Sequence, residues 1–447
     1  MTSSLPTSYL TPEEQFLWQS ARRWRTPSMS MHTGQLDWHR LTEMSRWNRM
    51  QTLIHGVLAR TGLLDHLPPD AMELLREDIQ RNAENAEFLG RELQRYLSLA
   101  QERSVETVVL KGLSVSINVY GDATIRPGGD VDLLVRKDQV ETCVAVLEEM
   151  GLGRYWPHLM DDAYYGRHHL HQQRCSKDIR LWFEAHWTLD HPYTLLTIDY
   201  EALMDRTAPG QLLEEPVREL SPPDLLLSLA VHLVKHAVYL PSAMDRPDLP
   251  RIILADGMLM YFLDVAEAIK RHDTEMDWPF LVDLAQASGA TTILGSVLRV
   301  CGEWLDAPIP DSVLDDLPVR APRGLASQMM KRLIDYEVAT HQGQERSRFW
   351  DFMLMTDESF ILRPIRVLDT AAYFVPGSDF LERRYGEASW VSAAGHMARA
   401  TGQYARLGVD TVYYTWRRNQ RRKALAQGAP VAGVPSDGSP AGSDQAP

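Results

Sequence analysis

The chain has 447 residues, of which 44% are hydrophobic, and this composition excludes an intrinsically disordered protein because it supplies ample apolar surface for a core. Its 46 Lys and Arg residues against 60 Asp and Glu residues give a formal net charge of −14, so neither nucleic acid nor anionic lipid is an expected partner. The odd number of cysteines, three, argues against a disulfide framework and favours the reducing cytoplasm. The sequence shows neither a signal-peptide pattern nor a run of about eighteen apolar residues, so we expect no secretion and no membrane span.

Residues 1–100 are predicted to form a helical N-terminal region. Thr11 is a helix-capping residue, Pro12 follows at the first helical position, and acids occupy the first turn. Apolar residues then recur at spacings of three and four in the segments 36–62 and 68–104, which is the spacing of amphipathic helices.

Residues 101–205 are predicted to form a small core that contains the strands. Two short β-rich segments, 105–110 and 130–135, alternate with helix-like stretches, and the region 166–187 is predicted to be a hairpin that turns near Cys175. The sequence therefore indicates an α+β fold, with a small mixed sheet between helical N-terminal and C-terminal regions.

Residues 206–425 are predicted to form a helical C-terminal domain, because apolar residues again recur with helical spacing after the capping residue Ser221. Within it, the basic run 417–423 is interpreted as a solvated helix end, with nucleic-acid contact as the alternative. The last segment, 426–447, is rich in Pro, Gly, Ser and Ala and is predicted to be disordered.

The stretch IRPGGDVDLLV, residues 125–135, places two carboxylates at the start of an apolar strand. Because side chains alternate along a strand, Asp130 and Asp132 share one face while the apolar residues between and after them share the other. Mg²⁺ prefers one or two carboxylates together with phosphate oxygens and water. The pair is therefore predicted to bind divalent cations with the help of a third acid.

Glu184 is the best candidate for the third acid. In LWFEAHW, residues 181–187, the apolar side chains alternate toward the core and leave Glu184 and His186 on the other face. A structural ion pair with Arg180 is the alternative role for Glu184. His186 either packs beside Trp187 or hydrogen-bonds an acid or the substrate.

The segment VVLKGLS, residues 108–114, runs from a β-like stretch through Lys111 and Gly112 into a predicted helix. Gly112 permits close backbone approach, and the free N–H groups at a helix start bind phosphate. Lys111 adds a positive charge for the same anion.

These residues resemble a known family. VVLKGLSVSINVYGDATIRPGGDVDLLV, followed by FEAHW, resembles the uncharacterised nucleotidyltransferase family of bacterial proteins, a branch of the DNA polymerase β-like nucleotidyltransferase superfamily. That superfamily combines a Gly-containing turn, an acid-x-acid strand and a third acid on a later strand, which Gly112, Asp130 with Asp132, and Glu184 supply here. The flanking helical segments also resemble the family, so that the resemblance covers about residues 35–415.

The resemblance implies a nucleotidyltransferase-type sheet and a specific reaction. A nucleoside monophosphate is moved from an NTP, with ATP as the expected donor, to a hydroxyl or similar acceptor, and pyrophosphate is released. Mg²⁺ or Mn²⁺ is the implied cofactor: Asp130 and Asp132 would carry two ions, and Glu184 would complete the catalytic one and favour loss of the acceptor's proton.

The resemblance also implies a triphosphate site. Lys111 and Arg126 would offset the charge of the triphosphate. The chain departs from the superfamily at Leu113, where Ser or Gly is usual, so either Ser114 or the backbone amides after Gly112 alone hold the phosphate.

Several histidines have two interpretations each. His232 and His236 lie one helical turn apart, as in half a zinc site, but the Glu of the HExxH motif is missing. Contact of Lys235 or His236 with the triphosphate is the better functional interpretation, and packing is the alternative. The histidines of HHLH, residues 168–171, are predicted to lie on an exposed hairpin strand.

The sequence leaves the acceptor open among small molecules, peptides and proteins, and a role in natural-product or peptide modification would suit these acceptors. Two further functions remain as alternatives. One is a nucleotide-binding scaffold with weak catalysis, suggested by the missing Ser after Gly112, and the other is a nucleotidyltransferase toxin that modifies tRNA.

Overall fold

The computed structural model of the protein describes residues 10–26, 36–153, 170–178, 180–190, 196–237 and 240–320, together with Ser389, Val391 and Ala394. Every helix and strand given below lies in the compact unit made of Met1–Pro157 and Asp162–Leu362. The predictions that fall outside the described residues are those for the tail 426–447, for the basic run 417–423, for His168 and His169, and for the helical C-terminal domain beyond residue 320 apart from Ser389, Val391 and Ala394.

Fourteen α-helices occur in the described part of the chain, and α1 begins at the predicted cap. The Thr11 side chain accepts a hydrogen bond from the Glu14 amide, and the Glu14 side chain accepts one of 2.8 Å from the Thr11 amide. In chain order the helices are α1 (Pro12–Arg23), α2 (Trp38–Trp47), α3 (Gln51–Thr61), α4 (Pro69–Glu102), α5 (Gly112–Val115), α6 (Val140–Glu149), α7 (Tyr200–Asp205), α8 (Pro222–His236), α9 (Leu240–Ala243), α10 (Leu249–Ala255), α11 (Leu259–Arg271), α12 (Trp278–Ser288), α13 (Thr291–Leu305) and α14 (Asp311–Asp316). Helix α5 continues into a π-helical turn, Ser116–Tyr120.

Six strands form one mixed sheet, and the α+β prediction is confirmed. The strands are β1 (Thr107–Leu110), β2 (Val131–Val135), β3 (His171–Cys175), β4 (Trp182–His186), β5 (Ala208–Leu212) and β6 (Glu215–Glu219), in the spatial order β3-β4-β2-β1-β6-β5. The predicted hairpin is present as the antiparallel pair β3 and β4. Strand β2 pairs antiparallel with β1 and parallel with β4, which sets Asp132 opposite Glu184.

The alternation predicted for β2 divides its side chains between two cores. Val131, Leu133 and Val135 belong to the core that includes apolar residues of α4 and α6. Leu134 belongs to the core that includes apolar residues of α8, α11 and α13. Asp132 shares the face of Leu134, so the acidic face of the sheet is the face covered by the helices that follow it in sequence.

Strands β5 and β6 extend the sheet beyond residue 205, where the helical C-terminal domain is predicted to begin. Strand β6 pairs parallel with β1 through Val108 and Arg218. The two strands contain Pro209, Gly210 and Pro216, residues that are depleted in strands and give no clear alternation. This composition explains why the sequence does not reveal them.

The helices that follow the sheet are largely apolar. Ser221 caps α8, as predicted, because its side chain accepts a hydrogen bond from the Asp224 amide. Helix α11 is buried on all sides from Leu259 to Ile269. None of the helices in the described ranges combines the length and the apolar character needed to span a membrane.

Candidate active site

Asp130, Asp132 and Glu184 come together at one end of the sheet. One carboxylate oxygen of each residue lies within 4.8 Å of the corresponding oxygens of the other two. Asp132 is almost completely buried, with 1% of its side chain exposed, whereas 46% of the Asp130 side chain is exposed. The parallel pairing of β2 with β4 produces this convergence, because it brings Asp132 and Glu184 into register.

Lys111 faces these carboxylates from the turn between β1 and α5. Its Nζ lies 3.0 Å from Asp132 Oδ2 and 4.0 Å from Asp130 Oδ2. The turn is tight, since φ is +37° at Lys111 and +48° at Gly112, in the left-handed region that favours glycine. Burial opposes protonation of Lys111, but the charges of Asp132 and Asp130 raise its pKa, so the amine stays cationic.

Gly112 and Ser114 lie at the start of α5, directly after Lys111. Gly112 begins α5 beside Asp130, whose carbonyl oxygen would lie 3.7 Å from a Cβ at Gly112. Ser114 lies two residues further along the same helix and is half-buried. The turn, the lysine and the acid-x-acid strand are therefore neighbours, as the sequence predicts, while phosphate binding by Gly112 and Ser114 stays a prediction.

His186 is bonded to the acids, which decides between the two roles left open by the sequence. Its Nε2 lies 2.9 Å from Asp132 Oδ1 and 3.1 Å from Glu184 Oε2. Burial opposes protonation of the ring, yet the hydrogen bonds to Asp132 and Glu184 raise the pKa of His186. Glu184 also accepts a hydrogen bond of 2.9 Å from Gln173 Nε2, and the Arg180 guanidinium instead lies over the ring of Phe88.

The carboxylates carry opposite pKa shifts. The negative charge of Asp132, followed by burial, raises the pKa of Asp130 to about 6. Burial would raise the pKa of Glu184 as well, but the hydrogen bond from His186 and the charge of His171 outweigh it and lower that pKa. The negative charge of Asp132 destabilises the ionised form of Asp130, and a divalent cation between the two carboxylates would relieve this repulsion. The set of carboxylate oxygens therefore fits Mg²⁺ or Mn²⁺.

The raised pKa of Asp130 predicts a pH dependence of stability in the presence of EDTA. Since the folded-state pKa, about 6, exceeds the ordinary value of 3.8, the folded protein holds a proton that the unfolded chain releases. The contribution of this group to the free energy of unfolding therefore falls as pH rises from about 4 to about 6, and is constant above. Asp130→Asn should remove this contribution, so that the variant gains thermal stability relative to wild type as pH rises.

Thermal melts of both proteins from pH 4 to pH 8 in EDTA measure the difference. The pKa shifts of Glu184 and His186 are present in both proteins, so their effects on the melting temperature largely cancel in the comparison. Addition of Mg²⁺ at pH 7 should raise the melting temperature of wild type more than that of Asp130→Asn. Melting temperatures that run parallel at all pH values would contradict the assignment.

Arg126 forms an ion pair with Asp264, and its charge also opposes the rise in the pKa of Asp130. Its Nε donates a 2.6 Å hydrogen bond to Asp264 Oδ2 on α11, and the two side chains are only 5% and 3% exposed. Asp264 Oδ1 accepts a further bond of 2.9 Å from Tyr120 Oη. The ion pair of Arg126 thus connects the turn before β2 to α11. Contact of Arg126 with the triphosphate stays a prediction.

Lys235 and His236 lie at the end of α8. The Lys235 amine donates a hydrogen bond to the carbonyl of Leu189. Burial lowers the pKa of Lys235 to about 8, although the negative charge of Asp190 opposes this shift. The rings of His232 and His236 lie 4.9 Å apart, and each lies 5.4 Å from the ring of Tyr261. In the part of the chain that the structure describes, neither histidine belongs to a group of residues with metal-binding spacing, so the half zinc site is not supported.

The sequence did not reveal three residues around the site. Asp264 and Gln173 bond to predicted site residues, and His171 lies with its Nε2 3.9 Å from Glu184 Oε1. The prediction that the HHLH strand is exposed is wrong at His171, which is largely buried. The two residues of β3 could have been found from the sequence if the register of the hairpin had been known. Alternation places His171 and Gln173 on one face of β3, opposite His186 and Glu184 on β4.

Comparison with known proteins gives one match. A family model described as "Uncharacterised nucleotidyltransferase" matches residues 34–306, which is more than half of the chain. No curated protein and no solved structure matches.

Proposed function

The chain belongs to the uncharacterised nucleotidyltransferase family, and from this premise we propose that it moves a nucleoside monophosphate from an NTP, with ATP as the expected donor, to a hydroxyl or similar acceptor, with release of pyrophosphate. The observation that carries the proposal is the convergence of Asp130, Asp132 and Glu184 within 4.8 Å on one end of the sheet. Lys111, at the strand-to-helix turn, supplies a cation beside them.

The three carboxylates would hold Mg²⁺ or Mn²⁺. When bound, divalent cations stabilise the charge that develops on the transferred phosphoryl group and on the leaving pyrophosphate. Asp132 is fixed for this purpose by burial in the central strand β2, and Glu184 by hydrogen bonds with Gln173 and His186. These supports reduce the freedom of the ligands before the nucleotide binds.

Glu184 would complete the ligand set of the catalytic cation and favour loss of the proton of the acceptor hydroxyl, which would pass to solvent. Its hydrogen bonds with Gln173 and His186 hold Glu184 in place, and its lowered pKa keeps it ionised. Asp130 would be the most exposed of the three cation ligands. Its pKa of about 6 belongs to the site without a cation, because a bound cation would relieve the repulsion from Asp132 that raises it.

Lys111 and Lys235 provide the positive charge for the triphosphate. The charge of Lys111 contributes to the lowered pKa of Lys235, after burial and against the charge of Asp190, so both amines would attract a polyanion bound at the carboxylates. Lys111 would release Asp132 and turn to the phosphates when cations occupy the carboxylates. His236 adds a further polar side chain one residue after Lys235.

Lys111→Met should reduce kcat/KM for the nucleotide about 10- to 100-fold, because one preorganised positive charge on the triphosphate is lost. Initial rates at varied NTP concentration measure this change. The matched control is Lys137→Met, since Lys137 is exposed in the turn after β2 and outside the site. Equal losses in the two variants would contradict a specific role for Lys111.

Transfer of label from each of the four α-labelled NTPs, in the presence of Mg²⁺ or Mn²⁺, tests the proposed reaction. The acceptors offered are small hydroxyl compounds, peptides, proteins and tRNA, so that the acceptor class and the tRNA-modifying alternative are distinguished. We expect label on an acceptor that is not tRNA, an equivalent amount of pyrophosphate, and neither with Asp130→Asn/Asp132→Asn. Equal labelling by that variant would overturn the proposal. Nucleotide binding without release of pyrophosphate from any mixture would also overturn it, and would support the scaffold alternative.

A further inference from the structure

Two histidines lie beside Glu184. His171 on β3 and His186 on β4 are directly opposite each other, and their rings lie 4.8 Å apart. One donor atom from each of His171, Glu184 and His186 lies within 4.8 Å of the other two. The three residues thus form a second donor group that contains nitrogen and shares Glu184 with the carboxylate group.

We propose that His171, Glu184 and His186 form a second cation site, which binds a first-row transition metal such as Zn²⁺ or Mn²⁺ in preference to Mg²⁺. Imidazole suits Zn²⁺ and neighbouring transition metals, whereas Mg²⁺ prefers oxygen ligands. The inference rests on the proposed function only in that Glu184 is shared by both sites.

The separations of the donor atoms suit such a cation. Bonds of about 2.0 to 2.1 Å place adjacent donors about 3 Å apart and opposite donors about 4 Å apart. His186 Nε2 and Glu184 Oε2 are separated by 3.1 Å, and His171 Nε2 and Glu184 Oε1 by 3.9 Å. Small side-chain rotations therefore bring all three donors to bonding distance.

The surroundings fix these side chains. Gln173 Nε2 donates a hydrogen bond to Glu184, a contact of the kind that orients a metal ligand. His186 Nε2 bonds Asp132 and Glu184, and a cation bound there would replace the proton that Nε2 shares with these acids. The second ring nitrogen of His186, Nδ1, is buried and has no hydrogen-bond partner among the described residues. Within the described contacts, His186 is therefore held through the nitrogen that faces the carboxylates, which is unlike a histidine that only fills the core.

Positioning is the competing role for His186, because a hydrogen bond to Asp132 and Glu184 alone would orient the acids. The two roles differ in their metal dependence. Loss of a positioning residue weakens Mg²⁺ and transition-metal binding alike, whereas loss of a nitrogen ligand selectively weakens transition-metal binding.

Metal titrations of the full-length, untagged protein after EDTA treatment, without nucleotide, separate these roles. Zn²⁺ and Mn²⁺ are titrated against a competing chelator, and Mg²⁺ by calorimetry. His171→Gln should weaken Zn²⁺ or Mn²⁺ binding at least about 10-fold and leave Mg²⁺ binding within about threefold. His186→Gln also removes hydrogen bonds to Asp132 and Glu184, so it should weaken the binding of all three cations, and that of Zn²⁺ and Mn²⁺ more than that of Mg²⁺. Asp130→Asn should show the reverse preference, and His39→Gln, an exposed histidine paired with Asp70, controls for histidines elsewhere.

Spectroscopy of the wild-type protein provides a second measurement that does not depend on the variants. Pulsed electron paramagnetic resonance of the Mn²⁺-loaded protein should show coupling to imidazole nitrogen, and X-ray absorption of the Zn²⁺-loaded protein should show nitrogen at about 2.0 Å. A cation surrounded by oxygen alone would overturn the inference, as would equal losses of Mg²⁺ and Zn²⁺ binding in the histidine variants. Nitrogen ligation without nucleotidyl transfer would instead overturn only the proposed function, and transfer without nitrogen ligation only the second site.

Discussion

Replacing Asp132 with asparagine is expected to lower kcat for nucleotidyl transfer about 10³-fold or more, since loss of a cation ligand removes about 4 kcal/mol of transition-state stabilisation or more. Asp132 is the most buried of the three acids and lies on β2 between Lys111 and His186. Asparagine keeps the volume of the side chain but removes the negative charge that draws a cation into the site. No other single substitution in the carboxylate group is expected to have a larger effect.

The measurement is single-turnover transfer at saturating nucleotide, which separates chemistry from binding and product release. Asp138→Asn is the matched control, because Asp138 is exposed in the turn that follows β2. Thermal melts in EDTA show whether Asp132→Asn remains folded after it loses its ion pair with Lys111. A folded Asp132→Asn variant whose kcat is within tenfold of wild type would contradict the assignment of Asp132 as a cation ligand.

The acids of the site were predictable from the sequence because the relevant signals are local. Alternation within β2 places Asp130 and Asp132 on one face, and alternation within β4 places Glu184 opposite the apolar side chains. The Pro-Gly-Gly turn and the Lys-Gly turn mark the ends of elements that carry these residues. Each inference uses fewer than ten consecutive residues, a range over which backbone geometry determines where side chains lie.

The partners of these residues were not predictable, because they depend on register and on long-range packing. His171 and Gln173 reach Glu184 only through the pairing of β3 with β4, and a shift by one residue would place both on the other face. Asp264 lies 138 residues from Arg126 in the sequence, and nothing near Arg126 indicates that it will be the partner. The sequence therefore shows that Arg126 is charged, but does not show that Asp264 is its partner.

The pair of Arg126 and Asp264 is expected to carry the largest effect on stability among the ion pairs of the described residues. Both side chains are almost completely buried, and the carboxylate is also bonded to Tyr120. Arg126→Met or Asp264→Leu leaves one charge buried without its partner, so each single variant should lower the free energy of unfolding by about 3 to 5 kcal/mol. Chemical denaturation monitored by fluorescence measures this loss.

The double variant Arg126→Met/Asp264→Leu separates the structural role of Arg126 from contact with the triphosphate. Removing both charges leaves no unpaired ion, so most of the stability lost in either single variant should return. If the guanidinium serves only Asp264, the refolded double variant should show a KM for the nucleotide within about threefold of wild type. We expect this outcome, because the Nε of Arg126 is already bonded to Asp264 and the side chain is 5% exposed. A KM raised tenfold or more in a double variant of restored stability would instead establish Arg126 as the phosphate ligand that the sequence indicates.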